Sequence, residues 1–107
     1  MKPNIYKDLP SGEPEIYEGE EYSMECDFYG LPFPTIKWTK DGEDINDSND
    51  FLFSEANRKL KIANMNHEKH DGDYQCTATN SKGSAKSSKA MVKVICKLKH
   101  FYFIFCT

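Results

Sequence analysis

The sequence predicts an all-β fold in which two sheets of short strands pack face to face as a Greek-key sandwich. Several segments alternate apolar with polar residues, which is the period of two expected of strands with one buried face. Clusters of Gly, Pro, Asn and Asp separate these segments, and such clusters favour turns. A chain of 107 residues makes one domain with a modest core. We expect seven or eight strands and no helix longer than a turn.

The chain divides into three predicted parts. Residues 1–14 contain three prolines and a glycine, so they are predicted to be a lead-in or interdomain linker that donates at most a short edge strand. Residues 15–95 carry the alternating segments and form the sandwich. Residues 96–107 form a hydrophobic tail.

The alternation places the strands in order along residues 15–95. The first runs through Cys26, and Pro32–Pro34 then turns the chain into a second strand through Trp38. A turn and a short edge segment follow, then two strands around the polar tip Ser54–Lys59, and two more on either side of the turn Asn80–Gly83. The predicted inward residues are Tyr22, Met24, Cys26, Phe28, Ile36, Trp38, Phe51, Phe53, Leu60, Ile62, Tyr74, Cys76, Ala78, Ala90, Val92 and Val94.

One constellation within these strands resembles the immunoglobulin superfamily. Trp38 follows Cys26 on the next strand, and Tyr74 stands two residues before Cys76. Flanking segments are similar to the intermediate set (I-set) of that superfamily, among them Glu18–Glu20, Trp38–Gly42, Leu60–Met65, Gly72–Cys76 and Ala78–Gly83. The resemblance implies an immunoglobulin-like sandwich with a Cys26–Cys76 disulfide between its sheets, and a core built around Trp38, Tyr74, Leu60 and Ile62.

A disulfide would favour an oxidising, extracellular setting. Buried free cysteines also pack well as small apolar groups, so the alternative stays open. Met1–Pro10 has no apolar stretch of the kind that a secretory signal peptide needs, which indicates either a fragment or an intracellular copy.

The corner before Tyr74 departs from the family pattern. The family usually has an aspartate six residues before the second cysteine, whereas this chain has His70 there and Asp71 beside it. Either Asp71 serves through a one-residue shift, or the corner depends on the Tyr74 hydroxyl alone.

Within the superfamily, the chain resembles the membrane-proximal domain of the basigin, neuroplastin and embigin group. The resemblance lies in Phe51–Glu68, in Ala78–Ser84 and in the aromatic segment after Val94. Phe101–Cys106 is too short to cross a bilayer, which takes about 20 residues. It is either the start of a truncated transmembrane segment, giving membrane association through residues 101–106, or sequence without a role. Cys96 and Cys106 are predicted to be free, with a second disulfide, an intermolecular bond or palmitoylation as alternatives.

Charge and motifs exclude several classes of function. The net charge of −3 combines four basic and fourteen acidic residues in 1–55 with ten basic and three acidic residues in 56–107. The sequence has no basic, aromatic-rich stripe of the kind that indicates nucleic-acid binding. We find no nucleophile with a nearby base and no phosphate-binding loop, so we expect no enzyme, no cofactor and no small-molecule substrate. His67, Glu68, His70, Asp71 and Asp73 fit no zinc framework, so we expect no metal and interpret them as a solvated loop.

The predicted function is therefore a non-catalytic protein-binding module. The resemblance implies cell adhesion at the extracellular side of the plasma membrane, with homophilic binding, axon guidance or transporter chaperoning as its family functions. The alternatives are a structural domain of an intracellular muscle or cytoskeletal protein and the ligand-binding domain of a receptor.

Two contact surfaces are predicted for a protein partner. The first is a sheet face carrying Lys37, Thr39, Thr77 and Thr79, and the second is the loop around Leu31 and Phe33, whose apolar side chains are predicted to be exposed. Asn46 begins the only glycosylation sequon, in a polar loop that would tolerate a glycan.

Overall fold

A computed structural model describes residues 2–9, 15–46, 51–97 and 103–105. Its elements follow one another in a nearly continuous series of short strands. In chain order they are β1 (Asn4–Lys7), β2 (Glu15–Tyr17), β3 (Tyr22–Glu25), β4 (Asp27–Tyr29), β5 (Thr35–Lys40), β6 (Glu43–Asp44), β7 (Leu52–Ser54), β8 (Lys59–Ile62), the helical turn α1 (His67–His70), β9 (Gly72–Asn80), β10 (Gly83–Lys86), β11 (Ala90–Lys97) and β12 (Phe103–Phe105).

The first layer of the sandwich is built on β3 and β4, which are one strand interrupted at Cys26. β8 pairs antiparallel with β3, and β7 pairs with β8, so these three form the order β3-β8-β7. β1 pairs antiparallel with β4, with Asn4 opposite Tyr29. The segment 1–14 therefore contributes a strand to this layer.

The second layer is a sheet centred on β9. β9 pairs antiparallel with β5 on one side and with β10 and β11 on the other, and β6 continues the sheet beyond β5. β2 pairs with β11 in the parallel sense, with Ile16 opposite Val94, and β12 pairs with the end of β11. The chain thus passes from the first layer to the second between β1 and β2.

The core lies between the layers and consists of the inward residues of the alternating strands. Met24, Leu60, Ile62, Ala78, Ala90 and Val94 are among those at most 2% exposed. Cys26 in the first layer and Cys76 on β9 form a disulfide. The prediction of an all-β sandwich with one disulfide between its sheets is confirmed. The predicted count of seven or eight strands was too low, because the described residues form twelve short strands, among them the edge strands β1 and β2 and the two halves β3 and β4 of one interrupted strand.

The corner before β9 depends on the Tyr74 hydroxyl. It donates a 2.7 Å hydrogen bond to the carbonyl oxygen of His70, and burial raises the pKa of Tyr74 well above its ordinary value. Asp71 takes another role, because its carboxylate accepts a 2.7 Å hydrogen bond from the amide of Val94 on β11. Asp71 therefore ties the corner to the neighbouring strand.

The interpretation of this corner as a solvated loop is wrong for His70. Its side chain is 1% exposed, and its Nδ1 accepts a 2.9 Å hydrogen bond from the amide of Asn66. The ring of Phe51 meets the imidazole edge to face, with 5.4 Å between ring centroids. Sequence reasoning missed the burial of His70 because a histidine surrounded by Glu, Asp and Lys residues is typical of a surface loop.

The turn between β5 and β6 packs closely against Gly72, the first residue of β9, because glycine has no Cβ in the way. A Cβ at Gly72 would lie 2.6 Å from Oδ2 of Asp41, and the φ of Gly72 is +153°. The other oxygen of Asp41 accepts a 2.9 Å hydrogen bond from the amide of Asp73, and this bond is the first cause of the lowered pKa of Asp41. Asp41 therefore cannot withdraw without breaking that hydrogen bond.

We expect Gly72→Ala to lower the free energy of unfolding by about 1–3 kcal/mol, because it adds backbone strain and displaces Asp41. Urea unfolding followed by circular dichroism measures this change. Gly42→Ala is the matched control, since Gly42 has a φ of +84° but no atom within 4 Å of its added Cβ. A loss no larger than that of the control would show that the close approach of Asp41 has no energetic role.

Candidate functional site

One end of the sandwich, named the head here, gathers exposed apolar side chains. The head comprises residues 2–4, the connection 30–34 between β4 and β5, and the turn residues 80–83. Leu31 and Phe33 are 68% and 65% exposed, the highest values among the large apolar residues that the structure describes. The sequence predicted this exposure, because the short connection between two strands places both residues outside the alternating pattern.

Hydrogen bonds of the Asn80 side chain connect two loops of the head. The side-chain amide of Asn80 donates a 2.8 Å hydrogen bond to the carbonyl oxygen of Pro32. The side-chain oxygen of Asn80 accepts another, of 2.8 Å, from the amide of Lys82. One residue therefore joins the two loops, so Leu31 and Phe33 project from a loop that is tied to its neighbour.

Two tyrosines extend the apolar surface beside the head. Tyr6 and Tyr29 are 61% and 46% exposed, and their rings stack with centroids 5.7 Å apart. The hydroxyl of Tyr6 donates a hydrogen bond to the Asp27 carboxylate, which is the largest cause of the raised pKa of Tyr6. Sequence reasoning missed this pair because it left residues 1–14 outside the sandwich and could not align β1 with β4.

The predicted sheet face carries Lys37, Thr39, Thr77 and Thr79, and the structure places all four on β5 and β9. Lys37 lies opposite Thr77 in the strand register and forms a 3.2 Å ion pair with Asp44 of β6. Thr39 and Thr77 are half-buried, whereas Thr79 is exposed. The face is polar around these residues, with the exposed Met91 on the adjoining β11.

The opposite end, named the base here, contains a recess of about 540 Å³. The base comprises residues 17–21, 41–46 and 63–73. The half-buried Ile45 and Phe51 give the recess an apolar part. Its other lining residues are Lys40, Asp41, Glu43, Asp44, Asn46 and Lys69. The exposed Asn46 of the predicted glycosylation sequon lies on the edge of the recess, and the rest of the sequon is outside the described residues.

Neither end has the geometry of a metal site or a membrane span. Within residues 2–9, 15–46, 51–97 and 103–105, no three His, Cys, Asp or Glu side chains converge to hold a metal ion. The same part of the chain contains no helix that is long and apolar enough to cross a membrane. Residues 103–105 pair with the end of β11. The predictions for the thiols of Cys96 and Cys106 and for the side chains of 101–106 concern atoms outside the described part of the chain.

Comparison with known proteins identifies the fold family. Residues 8–94 match the profile of the immunoglobulin I-set domain. The chain belongs to the immunoglobulin I-set family. A solved I-set neighbour, the I-band fragment I67–I69 from titin, superposes with a TM-score of 0.73 at 32% identity, over 87% of this chain and 33% of that one.

Curated relatives of this I-set domain include much longer proteins. Contactin-5 of Gallus gallus is 35% identical over 75% of this chain, vascular endothelial growth factor receptor 3 of Danio rerio 40% identical over 89%, and neural cell adhesion molecule 1 of Bos taurus 35% identical over 78%. The chain spans 8%, 7% and 10% of their lengths, respectively. It is therefore similar to a single domain of each.

Proposed function

We propose that this I-set domain is a non-catalytic protein-binding module of a cell-surface adhesion protein, with the head as its principal contact surface. The observation that carries the proposal is the exposure of Leu31 and Phe33 on a loop that Asn80 ties to its neighbour. Exposed apolar side chains that cluster at one place mark interaction sites. The similarity to neural cell adhesion molecule 1 supports a setting in adhesion.

The chemistry of the head favours weak, reversible binding. Burying a side chain such as Leu31 or Phe33 in a contact is worth about 1.5–3 kcal/mol each. The free energy gained by burying two such residues does not greatly exceed the entropy cost of association, so binding through the head alone is weak. Modules of this kind gain strength when several act together, as adhesion at a cell surface permits. Homophilic binding, an extracellular location and a role in axon guidance belong to this proposal.

The face with Lys37, Thr39, Thr77 and Thr79 is the second contact surface in the proposal. Its polar character suits it to a hydrated contact in which hydrogen bonds contribute more than apolar burial does. The narrower placement in the basigin, neuroplastin and embigin group, with a membrane attachment through residues 101–106, stays a prediction from the sequence.

Two alternatives share the fold. A structural domain of an intracellular muscle protein is favoured by the titin neighbour, and a receptor ectodomain by the similarity to vascular endothelial growth factor receptor 3. Thiol titration of the protein from its natural source separates the first from our proposal. Two thiols of the unfolded protein that react only after reduction support the cell-surface setting, and four thiols that react without reductant contradict it.

The head is tested by cell attachment to surfaces coated with the 107-residue chain. Leu31→Ser/Phe33→Ser is expected to reduce attachment of responsive cells at least tenfold, because truncating both contact residues costs more than about 1.4 kcal/mol. Leu52→Ser is the control, since Leu52 is exposed on β7 and lies outside both the head and the second contact surface. The proposal would be contradicted if cells attached equally well to the head variant and to the unchanged chain. It would also be contradicted if neuronal, epithelial and muscle cells attached to the unchanged chain no better than to an albumin coating.

A further inference from the structure

The two ends of the domain differ sharply in charge. The base residues 17–21, 41–46 and 63–73 contain nine carboxylates and one lysine, Lys69, and a second lysine, Lys40 at the end of β5, also lines the base recess. The head residues 2–4, 30–34 and 80–83 contain two lysines, Lys2 and Lys82, and no acidic residue. β5 separates the two ends, because the head connection precedes Thr35 and the base turn follows Lys40. The charges are therefore divided along the strand direction.

Several charged side chains at the two ends are exposed and can contact another molecule. Lys2 and Lys82 are exposed, and neither takes part in an ion pair with another residue that the structure describes. The same holds for the exposed Glu43 on the edge of the base recess. Asp41 and Asp44 are paired with Lys40 and Lys37, respectively, yet both stay more than half exposed. Opposite charges thus stand at opposite ends.

The head and the base recess are also complementary in their apolar surfaces. The head projects Leu31 and Phe33, and the base recess offers Ile45 and Phe51 within about 540 Å³. This volume lies in the range of about 300–1,000 Å³ that is typical of ligand pockets. A projecting apolar pair with lysines beside it therefore complements an apolar recess whose edge carries the carboxylates of Asp41, Glu43 and Asp44 as well as the lysines Lys40 and Lys69.

We propose that the head of one copy of this chain docks into the base recess of a second copy. Leu31 and Phe33 contact Ile45 and Phe51, while the lysines of the head face Glu43 and its acidic neighbours. The inference depends on the proposed function, because it names the partner of the same head surface. Since the two docking surfaces lie at opposite ends, the contact is heterologous, and each docked copy keeps one free end.

The charge pattern argues against the symmetric alternative. Two heads facing each other would bring Lys2 and Lys82 of both copies together without a carboxylate between them, and two bases would oppose their acidic residues. Like charges across an interface disfavour association. Head-to-base docking brings opposite charges together, so association should weaken as salt rises and the screening length falls from about 30 Å at 0.01 M to about 8 Å at 0.15 M.

Sedimentation velocity of the 107-residue chain with two one-sided variants tests the inference. Leu31→Asp/Phe33→Asp blocks the head, and Glu43→Lys/Asn46→Arg blocks the base through exposed residues outside the core. The unchanged chain is expected to form oligomers that grow with concentration and shrink with salt. Each variant alone should stay monomeric, and an equimolar mixture of the two should form a dimer and nothing larger, because one head and one base remain intact.

The mixture distinguishes the heterologous contact from every symmetric one. A monomeric mixture, oligomers in either variant alone, or an unchanged chain that stays monomeric at low salt would overturn the inference. Circular dichroism and urea midpoints close to those of the unchanged chain show that both variants fold. If self-association is absent while the head variant still loses cell attachment, the head binds a different protein and the proposed function stands without this partner.

Discussion

Replacing Cys26 and Cys76 together with alanine is expected to lower the free energy of unfolding by about 4 kcal/mol. The disulfide joins the two layers of the sandwich across a sequence separation of 50, so its loss frees a long loop in the unfolded chain. Both cysteines are fully buried, and removing their sulfur atoms also leaves space in the core. For a domain of this size such a loss is a large share of the total stability.

Urea unfolding of the double variant and of the unchanged chain measures this effect. The unchanged chain unfolded in the presence of a reductant is the control, and it should approach the stability of the double variant. Cys26→Ser alone is expected to lower stability further, because it buries a hydroxyl in an apolar core. A double variant within about 1 kcal/mol of the unchanged chain would show that the disulfide contributes little.

Trp38→Ala is expected to cost about 3–5 kcal/mol of unfolding free energy. Trp38 is 1% exposed and lies opposite Cys76 in the register of β5 and β9, so it fills the space between the layers beside the disulfide. Its indole N–H donates a 2.6 Å hydrogen bond to the carbonyl oxygen of Asn57 in the turn between β7 and β8. The substitution therefore removes core volume and a link between the layers.

Trp38→Phe helps to separate these two contributions, since it removes the donor but keeps an aromatic ring and so gives up less core volume than alanine does. We expect it to cost about 1–3 kcal/mol, because the carbonyl of Asn57 loses its partner. Trp38 is the only tryptophan, so unfolding must be followed by circular dichroism instead of indole fluorescence. If alanine cost no more than phenylalanine, the volume of the indole would have no part in holding the layers together.

The central strands could be predicted from the sequence because their inward residues alternate without interruption. β3, β5, β8, β9 and β11 each carry inward apolar residues two apart, and the structure buries Leu60, Ile62 and Val94 completely. Leu31 and Phe33 could be predicted as exposed for the complementary reason, since prolines interrupt the alternation around them. Local periodicity is sufficient for both statements.

The features that could not be predicted from the sequence depend on contacts between distant segments of the chain. Nothing in Asn4–Lys7 or Glu15–Tyr17 indicates which strand each will pair with, because edge pairing is fixed by backbone hydrogen bonds rather than by side-chain period. The base recess is likewise formed by a turn, a short strand and a helical turn that lie far apart in the chain. The burial of His70 depends on Phe51 and Asn66, which the sequence does not connect to it.

The division of the first two strands between the layers also protects the domain from aggregation. β1 covers the edge of β4, and β2 covers the edge of β11, so each layer would present an unpaired backbone edge without them. The family match begins at residue 8, beyond the whole of β1. A shortened chain cut at that boundary would leave the hydrogen-bonding groups of β4 open to strand addition by a neighbouring molecule.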